Sequence, residues 1–67
     1  MSLTLRRSEF GIEVAQAGDG ELMFDSPVAL MPGEFTLIRS VDGEERSWQI
    51  EILGNGDASD AASFRFL

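Results

Sequence analysis

Sixty-seven residues carry twelve acidic side chains against five arginines, with no lysine, histidine, tyrosine or cysteine, for a net charge of −7. That inventory removes imidazole and thiol chemistry, Schiff-base lysines and the usual zinc, copper and haem ligand sets, so no cofactor or metal is expected and the chain does not read as an enzyme. The negative field also argues against general nucleic-acid or anionic-membrane binding, both of which lean on positive potential.

The length fits one small β domain, residues 1–67, which buries only about 60% of the surface its unfolded chain exposes. Apolar burial and ordering entropy then nearly cancel, and no disulfide is available as a staple. Stability is expected to be marginal or helped by a partner. No apolar run approaches the ~18 residues of a membrane span. The arginines of MSLTLRRSEF follow a short alternating run instead of preceding it, unlike a secretory signal. The expectation is a cytoplasmic protein, and arginine without lysine hints at a GC-rich bacterial genome.

Residues Ser2 to Arg7 alternate apolar and polar and predict a strand. Ser8-Glu9 forms a turn, and Phe10, Ile12 and Val14 alternate on the return, so that Leu5 meets Ile12 and Leu3 meets Val14. Arg6 and Arg7 then point to opposite faces and form no basic patch. Next comes a turn cluster around Gly18-Asp19-Gly20. A three-residue loop with Gly20 left-handed and a bulge pairs Val14 with Phe24 and Gln16 with Leu22. Leu22 to Asp25 is then a short strand. Two prolines make SPVALMPG a non-helical connection in which Val28 and Leu30 tuck under the sheet. Met31-Pro32-Gly33-Glu34 suits a type II turn.

The strongest pattern is GEFTLIRSVDGEERSWQIEIL, Gly33 to Leu53. Asp42-Gly43 between two alternating runs signals a hairpin with a type I′ turn, which needs positive φ at both central residues. A two-residue loop sets Val41 opposite Glu44, Arg39 opposite Arg46, Leu37 opposite Trp48 and Phe35 opposite Ile50. A four-residue loop keeps the same sidedness and stays open as an alternative. Gly54 to Ser63 reads as a polar loop, with room for one helical turn capped by Asp57. Phe64-Arg65-Phe66-Leu67 forms a last strand with its phenylalanines inward.

About five to six short strands without a helical segment predict an all-β fold, a small antiparallel barrel or roll of SH3-like or OB-like type. The alternative is an open sheet completed by dimerisation.

Three constellations bear on function. Arg39, Arg46 and Trp48 converge near the hairpin tip and suit an anionic or nucleotide-like small ligand. Ile38 and Leu53 are apolar residues on the polar face and suit a protein partner. Acidic pairs such as Glu13 with Asp25, or Glu44 with Glu45, read as solvated charges, since acid-base work needs burial or crowding. The segment Asn55 to Asp60 opens like a calcium loop. It departs from one at Asp60, where glycine is needed, and at Phe66, where a bidentate glutamate is needed.

The run SPVALMPGEFTL loosely resembles the second half of PilZ domains and, equally loosely, carboxypeptidase-regulatory-type domains. The R-x-x-x-R and D/N-x-S-x-x-G motifs that would imply cyclic di-GMP binding are absent, so neither membership follows. The functional expectation is a non-catalytic β module for protein-protein interaction or self-association in the bacterial cytoplasm. A sensor module for a small anionic ligand is the alternative.

Overall fold

The computed structural model describes residues 1–54 and 57–67. Among the described residues seven strands form one antiparallel sheet: β1 (Ser2–Arg7), β2 (Phe10–Glu13), β3 (Gln16–Gly18), β4 (Glu21–Val28), β5 (Gly33–Val41), β6 (Glu44–Gly54) and β7 (Ser59–Phe66). Their spatial order is β2-β1-β5-β6-β7-β4-β3. The fold is all-β and curls into a small roll, as the alternating sequence predicts.

The β5–β6 hairpin sits in the middle of the sheet, and its register is the expected one: Val41 opposite Glu44, Arg39 opposite Arg46, Leu37 opposite Trp48, Phe35 opposite Ile50. Asp42 and Gly43 have φ of 49° and 83°, the two left-handed residues that a type I′ turn requires. The loop therefore has two residues. The first hairpin also follows expectation, with Leu5 opposite Ile12 and a left-handed Ser8 in the turn.

The connection from β3 to β4 differs from the expected one. Gln16 pairs with Met23, Ala17 with Leu22 and Gly18 with Glu21, so the loop is the two residues Asp19-Gly20. Gly20 is left-handed as predicted, but the bulge lies at the other end of the strand. Ala15 N–H donates to the Met23 carbonyl at 2.8 Å, while Gln16 also opposes Met23. Two residues against one is a β-bulge, and it reverses which side chains face inward. Strict alternation from Val14 onward therefore misplaces Gln16.

This bulge also curls the sheet. Val14 N–H donates to the Leu3 carbonyl at 2.9 Å, extending the β1–β2 ladder, and the next residue, Ala15, bonds to β4. Consecutive residues thus hand the chain from one end of the sheet to the other. Beyond the corner the two ends stay unzipped, and no ladder joins β2 to β4 among the described residues. Glu13 and Asp25, both exposed, lie just beyond the buried Val14 and Phe24 on either side. Like charges across a strand pair disfavour pairing, and Pro27 has no N–H to offer. Register between β4 and β7 is also irregular from Met23 to Val28.

Two further corrections concern the second half. Gly33 has φ of 146°, not the value near 80° of a type II turn, and it already pairs with Ile52 as the first residue of β5. Asp57 and Ala58 form a bend in place of a helical turn, and Ser59 begins a long final strand. Small residues there read as a loop, yet Ala62 lies opposite Leu22 and is buried. Neighbouring strands override the weak intrinsic preference of Ser-Asp-Ala-Ala-Ser. Asn55 and Gly56, the opening of the calcium-like segment, lie outside the described residues.

The core comprises Leu5, Val14, Leu22, Phe24, Leu30, Phe35, Leu37, Ile50, Ile52, Ala62 and Phe64. Leu30 is buried and Val28 half-buried, so the proline-rich connection does tuck under the sheet. Phe66 departs from expectation: it shares the inward face with Phe64 but is 62% exposed. No helix long and apolar enough to cross a membrane occurs among the described residues.

Candidate functional site

The inward face of the β1–β5–β6 sheet can be read as successive rows. One row is Leu5, Leu37 and Trp48, and the next toward the hairpin turn is Leu3, Arg39 and Arg46. The apolar stripe thus gives way to cations within one step along β5 and β6, while β1 keeps Leu3. Phe66 stands opposite Ile50, diagonal to Trp48, where the interior opens to solvent. Its ring meets Phe64 edge-on at 5.3 Å between centroids.

These rows border a hollow of about 440 Å³ lined by Leu3, Leu37, Trp48, Phe64 and Phe66, with Arg39 among its walls. Arg39 also lines an adjoining recess of about 390 Å³ together with Val41, Glu44 and Arg46. Volumes of this order suit a small ligand or one anchoring side chain. The structure thus sets Arg39 beside Trp48 along the hollow and beside Arg46 along the recess. It adds Leu3, Phe64 and Phe66, which sequence patterning assigned only to the core.

Two of the other arginines have different work. Arg65 Nε donates to Glu51 on the outer face. Arg7 lies over the Phe35 ring, 5.3 Å from its centroid, at the opposite end of β5 from the hairpin turn. That cation-π contact was not foreseen, although the parity that separates Arg6 from Arg7 was. Arg39 and Arg46 enter no ion pair among the described residues.

Ile38 and Leu53 do not form one patch. Ile38 is half-buried between Thr4 and Ser47, whereas Leu53 lies six residues beyond Ser47 along β6 and is 52% exposed. At ~3.3 Å per residue that separation is about 20 Å. Gln49 and Glu51 intervene on the same face, and the Thr36 hydroxyl donates to Gln49 Oε1. Sequence alternation identified the face correctly, and the hairpin register sets the distance along it.

The unzipped seam is the second candidate. A recess of about 200 Å³ between β2 and β4 is lined by Ile12, Glu13, Phe24, Asp25, Pro27 and Val28. Glu13 and Asp25 also line a neighbouring recess of about 180 Å³ beside Leu3 and Val14. Just after β2, Val14 points its N–H at β1, so two-residue alternation points the N–H and C=O of Gly11 and Glu13 away from β1, into the seam. Among the described residues no three acidic side chains are grouped closely enough to hold a metal ion.

Comparison of the chain with protein-family models, with curated protein sequences and with solved structures gives no match in any of the three.

Proposed function

We propose that this chain is a non-catalytic interaction module of the bacterial cytoplasm, acting by adding an extended strand from a partner protein, or from a second copy, to an unpaired sheet edge. The observation that carries this reading is the seam between β2 and β4. Backbone donors and acceptors of Gly11 and Glu13 face outward there beside an apolar floor of Ile12 and Phe24. Main-chain pairing supplies affinity in such an arrangement, and alternate side chains supply selectivity. A composition poor in catalytic side chains and free of cysteine agrees with that role and setting.

The test combines light scattering over a dilution series with amide exchange in the presence of proteins captured from a bacterial lysate. Strand addition predicts slowed exchange at Gly11 and Glu13 whenever the chain is associated. Association that leaves every edge amide exchanging as in the free chain would refute the reading.

One observation favours a second reading. Arg39 borders both the apolar hollow and the recess it shares with Arg46, a combination suited to a small ligand with an apolar body and an anionic group. Trp48 is the single tryptophan and reports directly on occupancy. Titration with an aromatic carboxylate and with its uncharged amide should shift Trp48 emission for the first only. Equal responses, or none, would dismiss the sensor reading.

A further inference from the structure

We infer that the seam between β2 and β4 selects a basic amphipathic strand, with apolar and cationic residues in alternation. The inference rests on the strand-addition reading and gives the partner segment its chemistry. A strand laid along β2 to pair with Gly11 and Glu13 must alternate its side chains between two faces. On the inner side it meets Ile12, which is half-buried, and Phe24, which belongs to the core. On the outer side it meets Glu13, which shares the outward face of Thr4, and Asp25, which is exposed. Both carboxylates line the two recesses at the corner, and no ion pair engages either among the described residues.

The features that keep the seam open within the chain are the ones that favour this occupant. Glu13 and Asp25 carry like charge on the two sides of the gap, and a cation between them sets two favourable contacts against that one unfavourable pair. Pro27 removes a donor from the β4 edge, so most main-chain pairing falls to β2. The long-range field has the same sign: a net charge of −7 draws a basic segment toward the surface and repels an acidic one.

Three blocked seven-residue peptides test the inference on the full chain: valine alternating with arginine, valine alternating with glutamate, and the arginine composition rearranged into blocks. Binding is read by fluorescence anisotropy and by amide exchange at Gly11 and Glu13. The alternating arginine peptide should bind with salt-sensitive affinity, at least about tenfold tighter than the block peptide, and should slow exchange at both amides. The double substitution Glu13→Lys/Asp25→Lys should transfer the preference to the glutamate peptide. Glu13→Gln/Asp25→Asn, which preserves shape, should cut the preference to the share set by the remaining net negative charge, while circular dichroism remains unchanged. Equal affinity for the alternating and block peptides would overturn the inference, as would a preference undiminished by either double substitution. Seam amides protected by both alternating peptides equally would defeat the charge selection but leave strand addition standing. Absence of seam protection with every peptide would defeat the inference, leaving association at other edges to the dilution test.

Discussion

Arg39 and Arg46 face each other directly on the inward side of the hairpin. Like charges in that relation destabilise a strand pair, so the substitution Arg46→Glu should stabilise the free protein by a few tenths to ~1 kcal/mol in urea denaturation. The same change should abolish any response of Trp48 to an aromatic carboxylate. A loss of stability instead would mean that the two guanidinium groups are held favourably in the free chain. Gly54 is a second position where one residue decides much. Its φ is 90°, and a Cβ there would lie 3.2 Å from Pro32 Cγ, so both backbone and packing resist a side chain. Gly54→Ala should cost ~1–3 kcal/mol, measured as a drop in the urea midpoint. Residue identity was legible at the arginine pair because a type I′ turn fixes parity. Exposure of Phe66 was not, because alternation names the face of a strand and says nothing about where along the roll that face opens.

Among the elements, the two hairpins with well-defined turns followed from sequence because Asp42-Gly43 and Ser8-Glu9 set their own registers. The stretch of β2 and β3, from Phe10 to Gly18, did not. Its bulge at Ala15-Gln16 exists because one segment must pair with β1 and then with β4, a demand that comes from the assembled sheet and leaves no local signature. The seam was half legible. Glu13 and Asp25 were visible as an acidic pair, but as solvated charges, since nothing local reveals that their strands come alongside without pairing. Glu13→Lys places opposite charges across the gap. It should raise the stability of the free chain by a few tenths to ~1 kcal/mol in urea denaturation, and an unchanged or lower midpoint would show that the two side chains do not sense each other.

At the scale of the molecule, the radius of gyration is 11.0 Å. A compact domain of this length is expected near ~11 Å, so the roll is as compact as its length allows despite the open seam and the hollow. The core is nonetheless small. Ile50 is fully buried, and Ile50→Ala should cost ~2–5 kcal/mol, comparable with the entire stability of a marginal domain. That variant should show no cooperative thermal transition at 25 °C or above in circular dichroism. Self-repulsion at net charge −7 predicts that adding salt raises the melting temperature, most steeply below about 0.15 M, where screening changes fastest. A melting temperature insensitive to salt would place the acidic groups too far apart to matter.

The position of the β5–β6 hairpin at the centre of the sheet has a kinetic consequence. β1 must find β5 across some thirty intervening residues, and closing loops of that size is slow, whereas β5 and β6 meet across a two-residue turn. The hairpin is therefore the natural nucleus, onto which β1 and β7 condense from either side. Gly43→Ala, which strains the turn at φ of 83°, should slow refolding and leave the unfolding limb of the chevron almost unmoved. Faster unfolding with unchanged refolding would place the nucleus elsewhere in the roll.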